Sequence, residues 1–420
     1  MNAHPFISAE KANALAEEFG TPIYVYDENT LRANVADCLA FPNAFGLTVR
    51  FAIKACPTAA VLKLFLALGL HFDASSIHEV RRAMLAGVPA EKISLSTQEL
   101  PEDFADVLRL GVKFNACSLD QLNRYGNAFP GSRVGVRFNP GMGSGGTGKT
   151  NVGGPDSSFG IWYEYADEVE NLLKKHGLTL ERIHTHIGSG SDPVIWQKAA
   201  LHSLVLVRRF ETVETLDFGG GYKVARVDGE KTTDLQSCGA PVRDAIAQLA
   251  KETGRKLHFE IEPGTYLVAN AGAILSRVQD LTDTGAAGRK FIKLDTGMTD
   301  LLRPSLYGAQ HPISLVKKSG REIPAKTENY VVVGHCCESG DLVSCAPGEP
   351  ETLSEKNLPQ AEIGDYCIIG GAGAYCAAMA TKNYNSFPES AEVLIGNNGQ
   401  ARLIRRRQTL EQILQNELGN

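Results

Sequence analysis

From residue 48 onward, hydrophobic and polar positions fall into short β-rich runs separated by longer stretches with a helical period. The runs lie at 48–54, 71–75, 93–97, 113–118, 133–139, 182–188, 215–219 and 257–262. Between most of them apolar residues recur three and four apart, as in 59–68, 77–86, 102–110 and 193–211. Eight strand-then-helix units predict an α/β fold, a parallel (β/α)8 barrel of the TIM type. After about residue 268 the texture changes. Runs at 272–280, 290–295, 330–334 and 365–369 are separated by Gly, Pro and Asp, with little helical period until a closing helix at 408–418. That stretch predicts an all-β domain, a β-sandwich or β-barrel. The short run at 22–26 precedes the first barrel strand and is expected to join it. The expected organisation is a barrel over 30–267 and a mainly β domain built from 1–29 with 268–420.

A chain of 420 residues has room for both parts. Its net charge of -6 gives no support for binding nucleic acid or an anionic membrane. No apolar run approaches the roughly 18–20 residues that span a bilayer, and the first ten residues lack the charged-then-apolar order of a secretory signal. The nine cysteines include no Cys-x-x-Cys and form no regular framework, so free thiols in a reducing cytoplasm are expected.

Barrel enzymes place their chemistry at the carboxyl ends of the strands. Here those ends carry Lys54, Asp73 with Ser75, Ser118, Asn139, His186 with Gly188 and Ser189, the turn Gly219-Gly220-Gly221, and Glu262. Lys54 closes an otherwise apolar run. By itself it reads equally as a side chain snorkelling to solvent or as an amine used covalently, since a desolvated lysine loses its proton more easily and then attacks carbonyls. Consecutive glycines after the seventh strand let backbone N–H groups close on an anion, where barrels often hold phosphate. A carboxylate at the end of the eighth strand suits a pyridine nitrogen that must stay protonated. Amine, phosphate turn and carboxylate together specify pyridoxal 5'-phosphate.

Two other signals point elsewhere. Gly143 to Thr150 matches the phosphate-loop pattern G-x-x-x-x-G-K-[ST], but the glycines and proline that follow forbid the immediate helix the motif needs, which leaves a glycine-rich lid at 141–160. His184 and His186, two apart, would face one side of a strand, as in metal-dependent barrel hydrolases. Such sites need further His and Asp ligands from later strands; strand seven ends in glycines and His258 sits at the wrong end of strand eight, so no metal is expected, and His186 is better read as a ring stacked on a flat cofactor.

With these residues assembled, the chain resembles the pyridoxal-phosphate decarboxylases of the alanine-racemase-like fold, and in particular the diaminopimelate decarboxylase family. The resemblance runs over nearly the whole chain through Phe51 to Ala55, Lys149 to Gly154, His184 to Ser189, Gly219 to Gly221, Glu262 to Gly264, Asp300 to Pro304, Cys337 to Asp341, Gly373 to Tyr375 and Ala391 to Leu394. It implies that Lys54 holds the cofactor covalently, His186 stacks on its ring and Glu262 pairs with its ring nitrogen. Ser189, Gly219, Gly220, Gly221, Pro263, Gly264, Thr265 and Tyr375 would form the rest of the cofactor site. Arg303, Tyr307 and Glu338, with Tyr375 and Thr265, would read the substrate, and Cys337 would supply a proton after carbon dioxide leaves. It also implies a homodimer in which Cys337 and Glu338 enter the opposite subunit's barrel. The chain departs from the family at Thr265, where Arg is usual, at Cys376, where Gly is usual, and at His78. Thr265 keeps open a paralogue acting on a D-lysine or D-ornithine type of substrate; a catalytically silent regulator is the alternative outside enzymes.

Overall fold

The computed structural model describes residues 6–318 and 326–419; residues 1–5 of the expected β domain lie outside them. The chain divides into two compact units, one comprising Ala33–Val224 with Lys231–Leu267, the other Met1–Arg32, Ala225–Glu230 and Val268–Asn420. The short segment Ala225–Glu230, embedded in the barrel's stretch of sequence, therefore groups with the β unit.

The first unit is a closed barrel of eight parallel strands. They are β1 (Leu47–Ala52), β2 (His71–Ala74), β3 (Ile93–Leu95), β4 (Lys113–Ala116), β5 (Arg133–Asn139), β6 (Thr179–His184), β7 (Thr215–Asp217) and β8 (His258–Ile261). Each pairs with the next, and β8 pairs with β1 to close the ring. Polar residues just past the strands start the helices. Ser76 and Ser118 accept hydrogen bonds from Glu79 and Gln121 N–H, and Asp192 and Asp234 do the same for the helices Pro193–Arg209 and Leu235–Thr253. Such caps satisfy N–H groups that the first helical turn leaves open.

The barrel interior is not purely apolar. Arg50 on β1, Arg182 on β6 and Glu260 on β8 are each at most 2% exposed. Arg50 grips Glu260 with two bonds, Nε to Oε2 at 2.9 Å and Nη2 to Oε1 at 2.7 Å, and Arg182 Nε lies 3.2 Å from Oε2. Two guanidiniums hold this carboxylate far below its usual range, overcoming the opposite effect of burial.

Several strands stop earlier than alternation predicts. β1 ends at Ala52, and Lys54 sits in a single helical turn, Ile53–Ala55, rather than on the strand. β6 ends at His184 instead of running to residue 188, because the carbonyl of Ile187 is taken by the N–H groups of Ser144 and Val152 from the glycine-rich loop. The closing helix spans only Leu410–Leu414; the side chain of Thr409 caps its start at Gln412 N–H.

In the second unit the long strand Gly272–Asp283 pairs antiparallel with Ile23–Asp27, Lys290–Leu294 and Tyr366–Ile369. Ile23–Asp27 also runs parallel to Ala391–Ile395, so the N-terminal segment is an interior strand of this nine-stranded sheet. Its inward residues Ile23 and Val25 pack with Ala273, Leu275, Ile368, Val393 and the helix residues Ala12, Leu15 and Ala16 in one buried cluster. Alternation along each strand sorts these side chains to one face. All nine cysteines are free thiols, and no described helix is long and apolar enough to cross a membrane.

Candidate active site

The carboxyl ends of the barrel strands converge on Lys54. Its Nζ lies 3.4 Å from Asp73 Oδ2 and 3.4 Å from Ser75 Oγ, and its side chain remains 37% exposed. Asp73, at the end of β2, is buried. Ser75 is fixed by its own N–H, which donates to Glu79 Oε2 at 2.7 Å. The helical turn carries the amine past the strand to a half-open position flanked by a carboxylate and a hydroxyl. The amine is thus drawn toward Asp73 at the end of β2 and Ser75 just beyond it.

Glu262 follows β8 and is only 5% exposed. Burial first, and then the neighbouring Asp73 carboxylate, push its carboxyl up to about 8, against an opposite pull from Lys54. Its Oε1 is buried without a hydrogen-bond partner among the described residues. Oε2 lies 3.2 Å from His184 Nε2, without the alignment of a hydrogen bond. Asp217, the last residue of β7, completes the group, with one ligand atom from each residue within 4.8 Å of the others. Burial and then Glu262 hold the Asp217 carboxyl well above its ordinary value, while burial pushes His184 down to about 4. Two buried acids beside an uncharged imidazole keep at least one proton between them at neutral pH. The acid that the histidine pair lacked in sequence is thus present: Asp217 ends the strand before the glycines. It joins His184, not His186, since His186 lies beyond β6.

His186 is held by the glycine turn. Gly220 N–H donates to His186 Nδ1 at 3.2 Å, which puts the ring's single proton on Nε2. Burial and then the Arg137 charge keep this imidazole neutral, well below its usual range. The turn has room only for glycine. A Cβ on Gly219 (φ +62) would meet His186 Cβ at 2.7 Å, and one on Gly220 would meet the Glu262 carbonyl oxygen at 2.3 Å. The turn is tied to β8 through Glu262 N–H, which donates to Gly219 O, and Pro263 O accepts from Ala52 N–H on β1. Gly264 follows, and Thr265 opens the short helix Thr265–Val268. Ser189 lies in the loop after β6, where its N–H donates to Thr150 O and its carbonyl accepts from Gly146 N–H. The phosphate-loop look-alike is therefore laced to the loop after β6, with a single 3-10 turn at Gly148–Thr150 in place of the helix the motif requires.

The remaining expected site residues belong to the β unit. Arg303 lies in the short helix Leu302–Tyr307, its guanidinium 6.0 Å from the Tyr307 ring, and Tyr307 Oη donates to Met379 Sδ. Cys337 and Glu338 are exposed on a turn. That turn is anchored by buried Asp341, which accepts from the N–H groups of Cys336 and Met298. Tyr375 adopts a left-handed φ of 55, unusual for a residue with a Cβ.

Lys54, His186, Glu262 and Gly219 to Gly221 come together at one barrel mouth. In sequence His184 is legible only as half of a histidine pair and Asp217 is not singled out, and neither is legible as a partner of Glu262. The residues fit pyridoxal phosphate on the structure's own terms: a reachable amine, a buried carboxyl oxygen open to an N–H, a flat neutral imidazole, and a turn closed to any side chain.

Residues 32–269 match the family model for the pyridoxal binding domain of pyridoxal-dependent decarboxylases. The chain is 37% identical to diaminopimelate decarboxylase of Escherichia coli K12, covering 98% of this chain and 97% of that one. It is 35% identical to the Streptomyces coelicolor enzyme of the same name, over 96% and 91% of the two chains. A crystal structure of diaminopimelate decarboxylase superposes with a TM-score of 0.90 at 36% identity, covering 98% and 97%. The Helicobacter pylori enzyme complexed with L-lysine gives 0.84 at 27%, covering 96% and 98%. With Lys54 and Glu262 at one barrel mouth and similarity from end to end, this chain belongs to the pyridoxal-dependent decarboxylases and, within them, to the diaminopimelate decarboxylase family.

Proposed function

We propose that the chain removes one carboxylate of meso-2,6-diaminopimelate as carbon dioxide and leaves L-lysine, the last chemistry of lysine biosynthesis. The observation that carries this reading is the half-open Lys54 amine at the same barrel mouth as the buried Glu262 carboxyl, in a chain similar to diaminopimelate decarboxylases over its whole length.

Lys54 is the residue that would hold pyridoxal phosphate through its amine, Glu262 would face the ring nitrogen, and His186 would lie against the ring. The backbone of Gly219 to Gly221, with Ser189, Pro263, Gly264, Thr265 and Tyr375, would complete the cofactor site. Bound pyridoxal phosphate supplies an electron sink for the pair left on the α-carbon when the carboxylate departs. Glu262, 5% exposed, would offer the ring nitrogen a carboxyl oxygen shielded from solvent and so favour its protonated form. Asp73 and Ser75 orient the Lys54 amine, and the Asp73 carboxylate would take the proton that the ammonium must lose before it can hold the cofactor. Cys337 Sγ would deliver the proton that replaces the lost carboxylate. Arg303, Tyr307 and Glu338 would hold the remote end of the substrate. Exposure of Cys337 and Glu338 in the single chain supports a homodimer in which both enter the barrel of the partner. A cytoplasmic location accords with the nine free thiols.

Thr265 favours a second reading. A threonine offers one neutral donor where Arg offers a charged fork, so a diamino acid without the second carboxylate is the competing substrate. The test is carbon dioxide release and L-lysine formation by the pyridoxal-phosphate-loaded protein over a panel of diamino acids. The highest kcat/KM is expected for meso-diaminopimelate; a clear preference for D-lysine or D-ornithine selects the second reading, and no release from any member overturns both.

A further inference from the structure

Two guanidiniums and an imidazole influence one another in the β unit, and among the described residues neither guanidinium is ion-paired to an acid. Arg226, in the segment Ala225–Glu230, is half-buried, yet its Nη2 is fully buried and lacks a hydrogen-bond partner among the described residues; so do Arg303 Nε and His311 Nε2. The electrostatic neighbour that acts most strongly on Arg226 is another cation, Arg303. Burial and that charge push the Arg226 guanidinium down to about 9, an unfavourable setting for a cation. Glu230 is the nearby acid, but its Oε2 accepts from the backbone N–H of Arg226 at 2.8 Å and locks the main chain instead.

The side chains are built into place. Gly370 O accepts from His311 Nδ1 at 2.8 Å and Gly371 O accepts from Arg226 Nε at 3.0 Å, so two successive carbonyls position the pair. Gly371 (φ +64) wraps the arginine stem so closely that a Cβ there would lie 2.8 Å from Arg226 Cδ. Asn270 Nδ2 donates to Ala225 O and fixes the start of the segment. His311, 3% exposed, is kept uncharged by burial and then by the two arginines; with its one proton on Nδ1 its Nε2 can only accept, so the guanidiniums alone offer N–H groups to an anion. Buried like charges with unpartnered N–H groups are costly, a cost that a bound anion removes, and planar guanidiniums suit a carboxylate.

We propose that Arg226 is a second guanidinium, beside Arg303, of a carboxylate-binding site that holds the substrate carboxylate retained through the reaction. This rests on the decarboxylase reading and adds to it a residue that no family motif marks. It also accounts for how a chain with Thr265 in place of an arginine still selects a substrate with two carboxylates. Arg226 acts by binding and not on the reacting atoms.

The test is an absorbance-monitored titration of the holoenzyme with L-lysine, which keeps that carboxylate, and with 1,5-diaminopentane, which lacks it. Arg226→Gln is expected to weaken L-lysine by about thirtyfold or more and to leave 1,5-diaminopentane within about twofold. Arg226→Lys keeps the charge but loses the fork, and an intermediate loss of about threefold or more for L-lysine is expected even if the glutamine variant fails to fold. Equal weakening of both amines, or no change in either, overturns the proposal. So does a loss of pyridoxal phosphate affinity on reconstitution with L-lysine binding intact, which would make the anion the cofactor phosphate. Selective loss of L-lysine binding in a protein that releases no carbon dioxide would instead overturn the substrate reading and leave the carboxylate site standing.

Discussion

Glu262 is a residue whose environment suits the loaded protein and penalises the empty one. Its carboxyl titrates near 4.5 when unfolded and at about 8 when buried beside Asp73. Between those values the unfolded chain has released a proton that the folded chain retains, so stability of the apoprotein falls as pH rises through this window. Glu262→Gln removes the titration. Melting curves of the apoprotein should show the variant gaining on the wild type progressively from pH 5 to pH 8, while its affinity for pyridoxal phosphate drops. A difference in Tm that is constant with pH would contradict the raised carboxyl. At this scale the sequence exposed Lys54, His186 and Glu262, because rare residue types at strand ends announce themselves. It concealed Arg226, since an arginine in a loop is ordinary until two carbonyls and a neighbouring cation are seen around it. Asp217 passes unmarked two residues before the glycine turn, since its burial against Glu262 is a consequence of strand register that no local pattern encodes.

At the scale of elements, the strands were legible from their apolar runs and the helices from their three-and-four spacing, whereas the strand ends were not. Past His184, where β6 stops, a loop about forty residues earlier claims the Ile187 carbonyl, a long-range hydrogen bond invisible to periodicity. The buried charges inside the barrel were hidden for the same reason: Arg50, Arg182 and Glu260 come from three strands far apart in sequence. Their arrangement sets a prediction for the scaffold. Replacing Glu260 by Gln leaves Arg50 and Arg182 facing each other, both at most 2% exposed. Loss of the shared acid from such a group costs about 3–5 kcal/mol, measurable as a lower denaturation midpoint at neutral pH. Because the Glu260 carboxyl is held below its unfolded value, the wild type should lose this stabilisation as pH falls below about 4.5, and the two proteins should converge in acid. A loss under 1 kcal/mol would mean that water or rearrangement compensates the arginines.

For the whole molecule the decisive question is how many chains build one site. Lys54 belongs to the barrel unit and Cys337 to the β unit. Cys337 sits beside exposed Glu338 on a turn whose backbone is pinned by buried Asp341. A cysteine exposed on a turn of fixed shape is what the proposed shared site requires, since it can reach a second chain. If two copies exchange these turns, each site takes its lysine from one subunit and its cysteine from the partner. Lys54→Ala and Cys337→Ala, inactive separately, then complement on mixing. Random re-pairing makes half of the dimers mixed, and each mixed dimer holds one intact site of two, so about 25% of wild-type activity should return. Activity should rise with the time course of subunit exchange and remain absent in either variant alone. A mixture that stays inactive after exchange, verified by a mass tag on one variant, would place lysine and cysteine of one site on the same chain.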